Sequence, residues 1–167
     1  MNKFHGLMII ALLMLVYSCN NISIFPIDKP GQALDDDRLI GKWKFEEDTN
    51  KNNFYEVYPS IYPHQYHVRF WNRGGTNPTY EANVYYSKVN DEKFLNVPYF
   101  TDPLEGHWYL FIRMLNINKE GTKMTGAVVG DESMLNLKSE KQVQDYIAQN
   151  IDKRSFYIDT VHFFKIN

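Results

Sequence analysis

Cysteine is all but missing from this chain. Cys19 is the only one among 167 residues. No disulfide can form within the chain, so an oxidising compartment adds nothing to its stability. An excess of one charge is missing too. Eighteen Lys and Arg stand against twenty Asp and Glu, a formal net charge of −2. A nucleic-acid binder would carry a basic patch or stripe instead. Long apolar runs are also lacking. The longest, Leu7–Val16 (LMIIALLMLV), falls well short of the about 20 residues that a helix needs to cross a hydrocarbon core.

The usual marks of catalysis and metal binding are absent as well. There is no Gly-x-Ser-x-Gly elbow and no His-x-His pair. His64 and His67 are three apart, which on a strand puts them on opposite faces. His107 and His162 are scattered, and His5 lies just ahead of the apolar run, so no metal site is expected. Gly74-Gly75 has no strand–helix context and reads as a turn rather than a phosphate loop. Glu46 and Glu47 are adjacent, hence on opposite faces of a strand. No cofactor is called for, and the expectation is a protein that is not an enzyme.

Aromatic residues are what the chain has in quantity: 12 Tyr, 11 Phe and 3 Trp. With 44% hydrophobic residues, the chain is rich enough to fold rather than stay disordered. Its length makes one domain the default. Aromatic and β-branched residues favour strands, and short alternating runs recur from Arg38 onward. They are Leu39–Glu46, Phe54–Tyr58, Gln65–Trp71, Tyr80–Lys88, Lys93–Phe100, His107–Asn118, Thr122–Val129 and Phe156–Ile166. Turn residues separate them: Gly74-Gly75, Asn90-Asp91 and Lys119-Glu120-Gly121. Pro98 places the end of its strand at an edge or a bulge. One segment breaks the two-residue period. Ser139-Glu140-Lys141-Gln142 reads as a capping box, and Val143, Tyr146 and Ile147 follow at helical spacing. The spacing predicts about eight antiparallel strands in a meander, with one helix before the last. Closing such a meander into a barrel removes its exposed edges.

The N-terminus speaks about location. Lys3 precedes the ten-residue apolar run, which has the length of a secretory h-region. The run ends in Val16-Tyr17-Ser18-Cys19, which resembles the lipobox of bacterial lipoproteins. The resemblance implies cleavage before Cys19 and acylation of its thiol. Residues 1–18 would then be a lipoprotein signal peptide, 19–37 a lipid-anchored tether, and 38–167 the folded domain. The implied partner is a membrane, held through lipid on Cys19, and the implied place is the bacterial cell envelope. Asn20, where an Asp would favour inner-membrane retention in that family, leans toward the outer membrane. Within the tether, Asp35–Asp37 reads as a solvated face or the cap of a helical turn, not a calcium site.

The first strand carries Leu39-Ile40-Gly41-Lys42-Trp43, which resembles the Gly-x-Trp motif that opens lipocalins. The resemblance implies a lipocalin-like up-and-down barrel over 38–167. It also implies that Trp43 closes the barrel floor beneath a basic residue of the last strand, here Lys165. The late helix sits one strand earlier than in that family. An opening of this kind with a late helix before a final strand is similar to certain bacterial lipoproteins. A small hydrophobic ligand is what the resemblance implies for function. Tyr66, Phe70, Tyr80, Tyr86, Trp108 and Tyr109 are the candidates to line its cavity. The same aromatics, exposed, would stack on sugars, and the plainer alternative is that they fill the core. A filled barrel would point instead to an envelope interaction or glycan-binding protein.

Overall fold

The computed structural model describes residues 22–30, 35–48, 53–72, 75–102 and 106–166. Cys19 and the signal segment 1–18 lie outside the described residues. The chain is mainly β. Eight strands form a closed antiparallel barrel in sequence order: β1 (Gly41–Phe45), β2 (Phe54–Pro59), β3 (Tyr66–Trp71), β4 (Tyr80–Val89), β5 (Glu92–Asp102), β6 (Gly106–Ile117), β7 (Lys123–Val129) and β8 (Tyr157–Ile166). The helix α1 (Glu140–Asn150) precedes the last strand. The sheet closes where β1 meets β8, with Trp43 opposite Lys165.

Local chemistry explains these boundaries. β4 and β5 join through Asn90-Asp91, both at positive φ (49° and 67°). That is the geometry of a two-residue type I′ hairpin, which Asn and Asp tolerate. Pro98 sits at a register shift in β5, as a residue without an N–H must. Leu39 belongs to a short 3-10 turn, Asp37–Leu39, rather than to β1. Asp36 caps that turn by accepting from the Arg38 N–H. Ser139 caps α1 by accepting from the Gln142 N–H. The Gln142 amide reaches back to the Lys138 N–H at 2.7 Å, one residue earlier than a standard capping box.

Two apolar layers share the barrel wall. Inside are Leu39, Trp43, Val57, Tyr66, Val84 and Tyr86. Outside, Val89, Phe94, Phe111 and Val129 meet Met134, Val143, Ile147, Ile151 and Phe156. Val143 and Ile147 lie one helical turn apart and are fully buried. Each contributes about 1.5–3 kcal/mol by leaving water.

The stretch expected to be a lipid-anchored tether is packed on the barrel where it is described. Residues 22–30 form a strap along the outer wall. Ser23 pairs with Tyr109 in both directions, at 3.0 and 2.7 Å. Ile22, Ser23, Ile27 and Asp28 are buried. The Ile27 N–H donates to Asn96 Oδ1 at 3.0 Å. Asn96 Nδ2 donates to Ser87 Oγ at 2.6 Å, and Ser87 in turn donates to the Asp28 carboxylate. Tyr85 donates to the Asp28 carbonyl at 2.8 Å. Pro26, Pro30 and Gly31 give this stretch the local composition of a linker. The buried Ser87 and Asn96, which make the dock, lie some sixty residues downstream and carry no local signal.

Burial pushes the Asp28 carboxyl above its ordinary range. The Ser87 hydrogen bond opposes this, and nearby Glu140 adds to it. A raised folded-state value means the fold holds the proton longer than the unfolded chain does. That contribution is complete below the unfolded value and is lost as pH rises through the folded one. Asp28→Asn keeps an acceptor for Ser87 and removes the charge. It should raise the urea midpoint at neutral pH, with the gain fading toward the ordinary aspartate value of 3.8. A midpoint lowered equally at all pH values would contradict this account.

Candidate functional site

The floor of the barrel is built around Trp43, which is fully buried. Its indole N–H donates to the Leu39 carbonyl at 2.7 Å. The Lys165 ammonium lies 4.9 Å from the ring centroid. The same ammonium donates to the Ile40 carbonyl at 2.8 Å and the Arg38 carbonyl at 3.2 Å. Gly41 makes room for this arrangement. It sits at φ +138°, and a Cβ there would meet Lys165 Cε at 2.9 Å. Of the three residues singled out in the sequence, Lys165 therefore lies against both Gly41 and Trp43. Beside them Tyr66 accepts from the Asp36 N–H. Asp36 is paired with Arg38 at 2.7 Å and Lys93 at 3.5 Å. The Arg38 hydrogen bond, outweighing burial, holds the Asp36 carboxyl below its ordinary range.

Above the floor lies a cavity of about 410 Å³. Trp43, Val57, Leu95, Met114, Met124 and Phe163 surround its lower part. Tyr55, the cross-strand partner of Trp43, also lines it, and Phe70, Tyr80, Leu110 and Val161 line the wall toward the other end. Gly126 also faces it. A Cβ at Gly126 would meet Ile112 Cγ2 at 2.5 Å, so the glycine lets β7 lie close against β6. Among the described residues, the lining carries no charged side chain. Its polar side-chain groups are the bonded Trp43 indole and two phenols. Tyr80 donates to the Pro98 carbonyl, and burial pushes its pKa up to about 12. Burial, then Asp48, raises Tyr55 as well. Both are neutral at physiological pH.

Of the six predicted cavity aromatics, Phe70 and Tyr80 line the space. Tyr66 and Tyr86 are buried in the same inner cluster but sit within the floor, outside the lining. Trp108 is half-buried and does not line it. Tyr109 is a correction: it packs against the outer core. Side chains alternate along a strand, so Leu110 inside puts Tyr109 outside. The aliphatic wall residues were missed as ligand candidates. Leu110, Ile112 and Met114 had nonetheless been readable as one face of their strand.

Of the histidines with described side chains, His64 is exposed and His67 and His162 are half-buried, each with a polar partner. His64 meets Asp35 at 3.0 Å, His67 meets Glu81 at 2.9 Å, and His162 meets Thr125 at 3.3 Å. Among the described residues, no cluster of three or more His, Cys, Asp or Glu is placed to hold a metal ion. Glu46 and Glu47 lie in the turn after β1 rather than within a strand. No helix among the described residues is long and apolar enough to cross a membrane. Comparison of the chain with family models, curated proteins and solved structures finds no match.

The floor is directly testable. Gly41→Ala adds a Cβ at a φ that L-residues rarely adopt and pushes on Lys165. Backbone strain of this kind costs about 1–3 kcal/mol. The variant should melt several degrees lower, and Lys165→Met should lose part of the same contact. A Gly41→Ala protein as stable as the parent would show that the floor tolerates displacement of Lys165.

Proposed function

We propose that the protein is a membrane-anchored, lipocalin-like lipoprotein whose barrel binds a small apolar molecule. The observation that carries this reading is the cavity. Its volume of about 410 Å³ falls within the roughly 300–1,000 Å³ of ligand pockets. An apolar space of that kind is not filled by water at low cost, so a hydrophobic occupant gains from entering it. The neutral lining favours an uncharged molecule or the uncharged part of a larger one. Empty space above the floor speaks against a filled interior, on which the interaction-only alternative rests. The described lining is apolar apart from the Trp43 indole and two neutral phenols, which suits an apolar occupant. The anchor rests on Val16-Tyr17-Ser18-Cys19 following the apolar run.

The neutral probe N-phenyl-1-naphthylamine should brighten when titrated with the purified full-length protein. Leu110→Trp combined with Val161→Phe adds bulk to the wall at two points. The pair should weaken probe binding at least tenfold while the far-UV spectrum keeps its β signature. Unchanged probe affinity in a folded double variant would place the probe elsewhere and sink the reading.

A further inference from the structure

The strap decides more than where the chain runs. Ser23 pairs with Tyr109, early in β6. β6 runs from that point down to Met114 and Ile117, which pack against the Trp43 cluster. Tyr109 therefore marks the barrel end away from the floor, the rim. From Ser23 the strap descends. Ile27 reaches Asn96, Asp28 reaches Ser87, and at the floor the Asp36 N–H reaches Tyr66. The described strap thus begins at the rim, with Ile22 and Ser23.

We infer that the strap turns the rim of the barrel, and with it the upper end of the cavity, toward a phospholipid bilayer. The inference rests on the anchor at Cys19 proposed above. Cys19 and Ser23 are four residues apart, and covalent geometry limits that separation to about 14 Å. The floor lies about 20 Å further along the barrel axis, from the length of β6 below Tyr109 and ordinary strand tilt. An acylated Cys19 can hold the rim against the lipid and cannot hold the floor there. A tether free as far as Arg38 would have allowed either orientation. The exposed apolar groups near the rim agree: Ile24 follows Ser23 directly, and Ile158 stands near the start of β8, 56% exposed. A competing face exists at the floor end. Ile61, 92% exposed, and Tyr62 project from the β2–β3 turn. That turn is held by the Ser60 N–H to the Gln65 carbonyl and by Tyr62 N–H to Ser60 Oγ. The strap keeps it on the side away from the membrane. The cavity end lined by Tyr80 and Leu110 is then the one nearest the lipid, so its occupant exchanges with the bilayer.

The test uses full-length lipidated protein, extracted in detergent and reconstituted into phosphatidylethanolamine–phosphatidylglycerol vesicles with a headgroup spin-labelled lipid. Ile158→Cys and Ile61→Cys each offer one free thiol for a fluorophore, because the Cys19 thiol is acylated. Quenching at 158 should exceed quenching at 61 several-fold. Ile27→Asp, which breaks the strap, should abolish that difference while fatty-acid labelling at Cys19 persists. Equal quenching in the parent background overturns the orientation alone. Stronger quenching at 61 overturns it in favour of the Ile61–Tyr62 turn. A difference that survives Ile27→Asp removes the strap as its cause. Failure of the chain to take up labelled fatty acid, with Cys19→Ala as the blank, overturns the anchor itself and this inference with it.

Discussion

The contact between Trp43 and Lys165 is the constraint on which the rest of the barrel depends. An eight-stranded meander has two free edges, and unpaired edges invite pairing with other chains. Here the first and last strands meet and remove both. The pairing is sealed by one ammonium that serves three acceptors: the indole face and the carbonyls of Arg38 and Ile40. With the ammonium still partly exposed, the cation–π contact is worth about 0.5–1 kcal/mol, and the carbonyl bonds add to it. Gly41 is the residue that permits the approach. With the floor shut, the space above it becomes a cavity instead of a channel.

A hollow interior forgoes burial that a filled one would provide. The structure recovers much of that burial on the opposite side of the same wall. Phe94, Phe111 and Val129 face away from the cavity and pack under α1 and the strap. The strands of this part of the barrel are therefore apolar on both faces. That explains why β6 reads as the longest apolar stretch of the domain. It also explains the neutral polar network of Ser87 and Asn96. Two buried polar side chains on an otherwise apolar wall are tolerated because each bonds the strap or its neighbour. Asp28 is the one charged member, and its carboxyl is the least comfortable group in the network.

The strands were legible because their signals are local. Period-two alternation, Asn90-Asp91, Gly121 and the Ser139 cap each fix an element without knowledge of its partners. Gly41, Trp43 and Lys165 were legible as a set because they sit at the two ends of the domain. The cavity wall was only half legible. Alternation says that Trp108 and Leu110 share a face, yet it does not say where along the axis the cavity stops. Tyr109 could not share that face with Trp108, and its size drew attention that belonged to Leu110 and Ile112. Tyr66 and Tyr86 face inward as aromatics should, but barrel tilt sets them low, in the floor. The strap was illegible, since a single bridge at Ser23 and a distant amide at Asn96 leave no periodic trace.

The closure of the floor also orders the events of folding. The hydrogen bond from Lys165 to the Arg38 carbonyl joins residues 127 apart, which spans nearly the whole domain. Contacts of such separation are slow to form, because the entropy of loop closure is met before they return anything. Until β8 reaches β1, that edge of β1 has no partner and Trp43 has no cation above it. A nascent chain of this protein is an open, unlatched sheet until β8 is made, and the barrel appears only when that eighth strand arrives.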